Sequence, residues 1–243
     1  MKLKLVDKKI EASGTKSFFW EPERPVRYLP GQFYYWTLPE LKYPDSRGAT
    51  RHFTISASPT EGDLLRFTTR MRKESGYKKS LDEIKIGTIL DGEGPNGTFI
   101  IDEKEDGPHV LLAGGIGITP YRSILKYAID KNLPTKFHLL YSSSVPEELV
   151  FRKELEEWMK TNPNIKGDMT ITKPEEAKEK WKGLTGRIDE KMFLTSLENW
   201  KLDIGNFRTW VSGPPAMVQA MQQVLGNLNV PANHIRSEEF TGY

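Results

Sequence analysis

Apolar and polar positions follow two different rhythms along this chain. From Leu3 to about Phe99 the apolar residues, many of them β-branched or aromatic, come in short alternating runs broken by glycine and proline. A period of two is the signature of half-buried strands. The runs predict strands over 3–10, 16–20, 32–38, 51–57, 64–71 and 88–92, with a helical insert over 77–84. Six short strands at this spacing suit a small antiparallel β-barrel or sandwich. After Pro108 the pattern changes to apolar strands over 110–113, 136–141, 169–172 and 208–212. They are separated by stretches of helical periodicity over 121–130, 146–160 and around 174–182. That alternation specifies a doubly wound parallel sheet with helices on both faces.

Between the halves, Asp102 to Pro108 carries charges, has no apolar side chain and ends in Gly-Pro. A solvated boundary is expected there, so the chain reads as an antiparallel barrel over 1–104 and an α/β domain over 105–243. The lysines and glutamates of 173–182 recur at i, i+4 and read as a solvated helix face.

Two strand-to-helix turns in the second half carry candidate chemistry. Val110 to Pro120 runs from a buried strand through Gly114, Gly115 and Gly117 to Thr119 and Pro120, an expected N-cap and first helical residue. Glycines in such a turn either make it tight or let backbone N–H groups approach a pyrophosphate at the helix start. The spacing departs from G-x-G-x-x-G, because Pro120 stands where the last glycine should be. Trp210 to Met217 repeats the arrangement with Gly213, Pro214 and Pro215. In open α/β sheets ligands gather beyond the carboxyl ends of strands, where both turns lie.

Composition narrows the classes. There are 35 Lys and Arg against 33 Asp and Glu, a net charge of +2 that gives no footprint for nucleic acid. The longest apolar run is interrupted by glycines and is far short of the ~20 residues of a membrane span. The amino terminus alternates charged and apolar residues without the apolar core of a signal peptide, so a cytoplasmic protein is expected. Cysteine is absent, which excludes disulfides, thiol catalysis and cysteine-ligated iron–sulfur clusters within these residues. The histidines, His52, His109, His138 and His234, have no metal-ligand spacing, and His138 in an apolar strand reads as a hydrogen-bonded core residue.

Arg51-His-Phe-Thr54 resembles the Arg-x-Tyr-Ser/Thr flavin motif of the ferredoxin–NADP reductase superfamily. Pro30-Gly-Gln-Phe33, Gly94-Pro-Asn-Gly-Thr-Phe99, Gly114 to Pro120, Ser212-Gly-Pro-Pro215 and Glu238-Glu-Phe240 resemble the other motifs of that family, in the same order. The resemblance implies a flavin-binding barrel followed by a pyridine-nucleotide domain. It implies an enzyme that moves hydride from NADPH or NADH to a bound flavin and then single electrons to a separate acceptor, such as ferredoxin, flavodoxin or an oxygenase component. A reductase of free flavin or ferric chelates, or a non-catalytic flavin-binding regulatory subunit, are the alternatives.

Residue roles follow from the same resemblance. Arg51, a strand cation that needs a partner if buried, is matched to a flavin phosphate. Phe53, where the family has Tyr, is expected to pack on the isoalloxazine, and Thr54 to hydrogen-bond flavin N5. His52 adjoins the cofactor but falls on the opposite face from Phe53. Backbone at Thr69, Arg70 and Met71 is expected to face the flavin. Ser75, Gly76, Tyr77 and Lys78 take the place of a phosphate loop; a cation in the first helical turn calls for an anion nearby, which favours FAD over FMN. Tyr77 either covers the cofactor or caps the barrel. Ser212 and Glu238 are matched to groups around the nicotinamide, Phe240 or Tyr243 to an aromatic shield over the flavin. Thr172 and Lys173 are matched to the adenosine 2′-phosphate site, with Arg152, Ser142 and Ser143 as further candidates and a slight lean to NADPH.

Overall fold

The computed structural model describes residues 1–105 and 107–241. The described residues form two compact units, one of Met1–Ile101 with Thr119–Tyr127, the other of Asp102–Ile118 with residues 128–241. The return of Thr119–Tyr127 to the first unit is something a single cut after residue 104 does not represent.

In the first unit β1 (Lys2–Ala12), β2 (Thr15–Pro22), β3 (Phe33–Thr37), β4 (Thr50–Thr54), β5 (Leu65–Arg70) and β6 (Ile89–Asn96) form one antiparallel sheet in the order β4-β3-β6-β1-β2-β5. A bridge from Ile55 to Phe67 brings the chain after β4 back against β5, so the sheet curls into a barrel. All six predicted strands are present, because their alternation is real: Phe18, Trp20, Trp36, Phe53 and Phe67 all project into one aromatic core. Phe67 is its hub, 4.6 Å from both Trp36 and Phe53 and 5.3 Å from Phe18 between ring centroids. Aromatic pairs at this spacing add to the free energy of their burial. Helix α1 (Gly76–Glu83) closes one side through Tyr77 and Leu81, both fully buried. Thr119–Tyr127 belongs to α2 (Ile118–Asp130). Arg122 fixes it to the unit with a two-pronged pair to Glu61 at 2.6 and 2.8 Å and a bond to the Ser56 carbonyl.

The second unit is a parallel sheet of β7 (His109–Gly114), β8 (Phe137–Ser143), β9 (Ile165–Ile171), β10 (Leu184–Thr185), β11 (Arg208–Gly213) and β12 (Ile235–Glu239), in the order β10-β9-β8-β7-β11-β12. Its helices are α3 (Arg152–Thr161), α4 (Glu190–Trp200) and α5 (Pro215–Asn227). One face packs Val110, Leu112, Leu140 and Val211 against Phe193 and Leu197 of α4 and Val218, Met221 and Leu225 of α5. From β7 the chain steps outward through β8 and β9 to β10, then crosses to the other side of β7 for β11.

Three expected helices differ. The stretch 146–160 breaks into a 3₁₀ turn, Pro146–Glu148, and α3, separated by Phe151 in the left-handed region at φ 60°. The break follows from burial of Leu149, Val150 and Phe151 and from the Val150 N–H, which is donated to the Tyr141 hydroxyl at 3.0 Å. Over 174–182 only a 3₁₀ turn, Pro174–Glu176, forms. The Lys178 and Glu179 N–H groups go to the Glu147 carboxylate instead of helical carbonyls. Finally, a 3₁₀ turn over Gly115–Gly117 runs into α2 at Ile118, so Thr119 is a buried helical residue and not an N-cap. β10, α4 and β12 were not anticipated from the pattern. Among the described residues no helix is long and apolar enough to cross a membrane.

Candidate cofactor and nucleotide sites

Helix α1 starts on the carboxylate of Asp45. Its Oδ2 accepts the Tyr77 N–H at 2.9 Å and the Ser75 hydroxyl at 3.0 Å, and its Oδ1 accepts the Arg47 N–H at 3.0 Å and the Arg51 guanidinium. An anion is favoured here by the helix dipole and the unpaired first-turn N–H groups. Burial alone would raise the Asp45 pKa, but these donors outweigh it and hold the carboxyl well below the usual range. Arg51 is 7% exposed, lies over the Tyr77 ring at 5.0 Å, and donates further to the carbonyls of Arg47, Gly48 and Thr50. The expected partner of Arg51 was a flavin phosphate; within the chain that partner is Asp45. An aspartate in the turn before Arg51 was a visible signal for it.

Lys78 occupies the first turn of α1, as expected, and is 3% exposed. Burial first, then the charges of Arg72, Arg51, Arg47 and Arg70, lower its pKa to about 7. Four arginines and a lysine thus meet around a helix start where Asp45 is the acid that caps it. That excess of positive charge fits the diphosphate of a flavin dinucleotide.

Other residues of the expected flavin set are placed differently. Phe53 is 3% exposed and stacked on Phe67 at 12°, so its ring is a barrel-core ring and not a platform for isoalloxazine. Tyr77 is also internal, its hydroxyl donated to the Trp36 carbonyl at 3.0 Å, so of its two readings the barrel cap holds. Gly76 is required by the backbone of Tyr43 and Pro44, into which a Cβ would run. Ser75 is the N-cap, accepting the Lys78 N–H at 3.2 Å. His52 packs with Phe33 and Tyr35 on the face opposite Phe53, and Thr54 ends β4 opposite Phe33. Thr69 and Arg70 lie on β5, an end strand of the sheet order, paired with Lys16 and Thr15; the Met71 N–H continues that pairing to the Gly14 carbonyl at 2.8 Å.

In the second unit the glycine turns meet. They leave the carboxyl ends of β7 and β11, neighbours on the two sides of the point where the strand order reverses, and such a switch point is where open α/β sheets bind ligands. A Cβ on Gly117 would run into the Ser212 carbonyl, one on Gly114 into the Met217 sulfur, and one on Gly213 would stand 3.1 Å from the Gly114 backbone. The glycines therefore bring the two turns into backbone contact. The carbonyl of Gly115, a residue at φ 53°, accepts the Tyr141 hydroxyl at 3.1 Å, a contact not anticipated. Neither the 3₁₀ turn nor α5, capped at Pro214, has a side-chain cap at its start. Pro120 lies in the first turn of α2, within Thr119–Tyr127 of the other unit.

Ser212, near the end of β11, is in register with Glu238 on β12. The Ser212 hydroxyl and the Glu238 Oε2 are both buried without a hydrogen-bond partner among the described residues. Burial raises the Glu238 carboxyl to about 7. A carboxyl so placed changes charge near neutral pH. Phe240 follows, its N–H bonded to the Gly213 carbonyl at 2.9 Å. Tyr243 lies outside the described residues.

Beyond β8 and β9, the Thr172 and Lys173 N–H groups bond the carbonyls of Ser143 and Ser144 at 2.9 Å. The Lys173 ammonium pairs with Glu176 at 2.8 Å, and Glu175 and Glu148 add to the field that raises its pKa. Arg152 pairs with Glu156 and Glu179 and stacks on Trp181. Both expected 2′-phosphate cations therefore have carboxylate partners.

The geometry agrees with known proteins. Residues 111–223 match the model of the oxidoreductase NAD-binding domain family. The chain is 27% identical over 233 residues to the glycine betaine monooxygenase reductase subunit of Chromohalobacter salexigens, covering 95% of this chain and 61% of that one. It is 27% identical over 218 residues to the anthranilate 1,2-dioxygenase electron transfer component of Acinetobacter baylyi, covering 89% and 59%. The chain thus spans about three fifths of the length of these curated relatives. Its fold superimposes on a ferredoxin NADP+ reductase from Neisseria gonorrhoeae, solved with FAD and NADP, with a TM-score of 0.80 at 21% identity over 98% of both chains. Residues 111–223 thus match an oxidoreductase NAD-binding domain, and the fold, a curled antiparallel barrel followed by a parallel α/β unit, is shared with that solved reductase.

Proposed function

We propose that the protein is an NAD(P)H-dependent flavoprotein reductase that passes electrons to a separate acceptor. The observation that carries this reading is the presence, in one chain, of a cationic helix start on an antiparallel barrel and of two glycine turns in contact at the switch point of a parallel sheet. The first suits the diphosphate of FAD, held by Lys78 and Arg51, with Thr54 toward flavin N5. The second suits a nicotinamide dinucleotide, its pyrophosphate on the turns after β7 and β11. When bound, the flavin supplies the conversion of a two-electron donor into single electrons. Ser212 and Glu238 orient the nicotinamide, and Glu238 holds or releases a proton at its carboxyl near neutral pH.

The acceptor in this reading is an oxygenase component, as the names of the two curated relatives suggest, or a ferredoxin-type protein. With no cysteine among these 243 residues, a cysteine-ligated cluster belongs to another domain or component. Nicotinamide and flavin coenzymes are supplied inside the cell, so a cytoplasmic setting is part of the proposal.

The test is direct. The purified protein, as isolated or after reconstitution, should show flavin absorbance, release FAD on denaturation, and bleach anaerobically with NADH or NADPH. A chain that takes up neither FAD nor FMN overturns the reading; one that binds flavin but is bleached by neither coenzyme is a binding module. Turnover with ferredoxin compared with ferric complexes and free flavin assigns the acceptor.

A further inference from the structure

A cavity of about 290 Å³ lies at the amino-terminal end of the parallel sheet, away from both glycine turns. His138 on β8 is in register with Val110, whereas Gly114 is in register with Ser142, four residues further along, or about 13 Å at strand rise. His138 lines the cavity and is 3% exposed, with its ring 5.1 Å from that of Trp200, the last residue of α4. Neither of its ring nitrogens has a hydrogen-bond partner among the described residues. The expected hydrogen-bonded core histidine is thus buried but unsatisfied, an arrangement that is uncommon and calls for an explanation.

The surroundings supply one. Lys166 is the register partner of His138 on β9, Lys136 precedes it by two residues, and Lys201 follows Trp200 at the end of α4. All three lysines line the cavity with Asn164, and among the described residues no acidic side chain does. Nor, among the described residues, does any of the three make an ion pair there. Burial first, then the charges of Lys166 and Lys136, lower the His138 pKa to about 4, so the imidazole is neutral and carries one N–H donor. Three ammonium groups, an amide and an unpaired imidazole around one cavity lack a negative charge to receive them.

We propose that this cavity binds a small oxyanion, a phosphate or carboxylate group held by Lys136, Lys166 and Lys201 above His138. It is separate from the flavin and nicotinamide sites proposed above. A bound anion would also offset the lysine charges that now oppose protonation of His138, so the imidazole should take up a proton on binding.

Inorganic phosphate is the probe, with acetate as the carboxylate arm and chloride at equal ionic strength as the control. Phosphate or acetate, but not chloride, should shift the His138 ring resonances in a saturable way and raise the melting temperature. Lys166→Met removes an exposed ammonium and leaves the core intact. It should weaken that binding about tenfold, the usual order for one charge-assisted contact. His138→Phe keeps the ring against Trp200 and should abolish the proton uptake. If both oxyanions act no differently from chloride, or if Lys166→Met and Lys136→Met bind as the wild type does, the site does not exist.

Discussion

Asp45 and Arg51 form an ion pair that is more than nine-tenths buried on both sides, and the same carboxylate caps α1 through Tyr77 and Ser75. Removing one partner of such a pair strands the other charge, at a cost of about 3–5 kcal/mol. Asp45→Asn should therefore lower the urea midpoint of the chain at pH 7. The Asp45 pKa is depressed on folding, so its contribution is complete above the unfolded carboxylate range near ~4 and is lost as pH falls below it. Wild type should lose stability between pH 5 and 3 more steeply than the variant. Parallel melting curves over that interval would remove the assignment.

Contact between the two glycine turns can be tested by contrasting two alanines. At Gly117 a new Cβ meets the Ser212 carbonyl, which is backbone and cannot yield. At Gly114 it meets the end of Met217, a flexible side chain. Gly117→Ala should cost roughly 1–3 kcal/mol and raise the KM for NADH, whereas Gly114→Ala should cost less on both counts. Equal penalties in thermal melts and steady-state kinetics would mean the turns do not rest on one another as described.

The sequence pattern carried the architecture further than it carried the site. Alternation located every strand of the barrel, because inward aromatics such as Trp20, Trp36 and Phe67 need a strict period of two. It also put Arg51 and Phe53 on one face, but alternation does not say which face is the core, so Phe53 was assigned to a ligand. Asp45 was missed because its role depends on four donors that only folding brings together. The lysine- and glutamate-rich stretch after Lys173 has helical spacing, yet Glu147, far from it in sequence, takes the N–H groups a helix would use. Motif order located Ser212 and Glu238, and their register confirms them as neighbours. Nothing in the order of motifs reported that both would be buried without partners.

Glu238 should set a pH dependence of its own. Burial raises its carboxyl to about 7, above the ~4.3 of an unfolded glutamate, so its contribution to stability is complete below ~4.3 and is lost as pH rises through about 7. The difference amounts to roughly 3–4 kcal/mol at alkaline pH. Glu238→Gln is neutral throughout and should be as stable as wild type near pH 5 and more stable at pH 8.5. If the residue also orients the nicotinamide, kcat/KM of the wild type should titrate with a midpoint near 7 and that of the variant should not. A variant that keeps the same midpoint would assign the titration to another group.

Coenzyme choice is the sharpest departure from the pattern-based expectation. Thr172 and Lys173 were matched by resemblance to the adenosine 2′-phosphate site, with a slight lean to NADPH. In space, the Lys173 ammonium is paired with Glu176, and Glu175 and Glu148 lie close enough to raise its pKa. Arg152 is likewise held by Glu156 and Glu179. A 2′-phosphate entering this corner beyond β8 and β9 would meet more negative than positive charge, whereas the 2′-hydroxyl of NADH would not be repelled. NADH should therefore be the better substrate by kcat/KM. Lys173→Ala should change the KM for either coenzyme by less than about twofold, since the lysine is already neutralised. Glu175→Gln combined with Glu176→Gln should lower the KM for NADPH by about 3–10-fold, the size expected of relieved repulsion at an exposed site, and leave NADH nearly unchanged. A wild type that prefers NADPH, or a Lys173→Ala variant that loses NADPH alone, would show that the lysine leaves Glu176 to bind the phosphate.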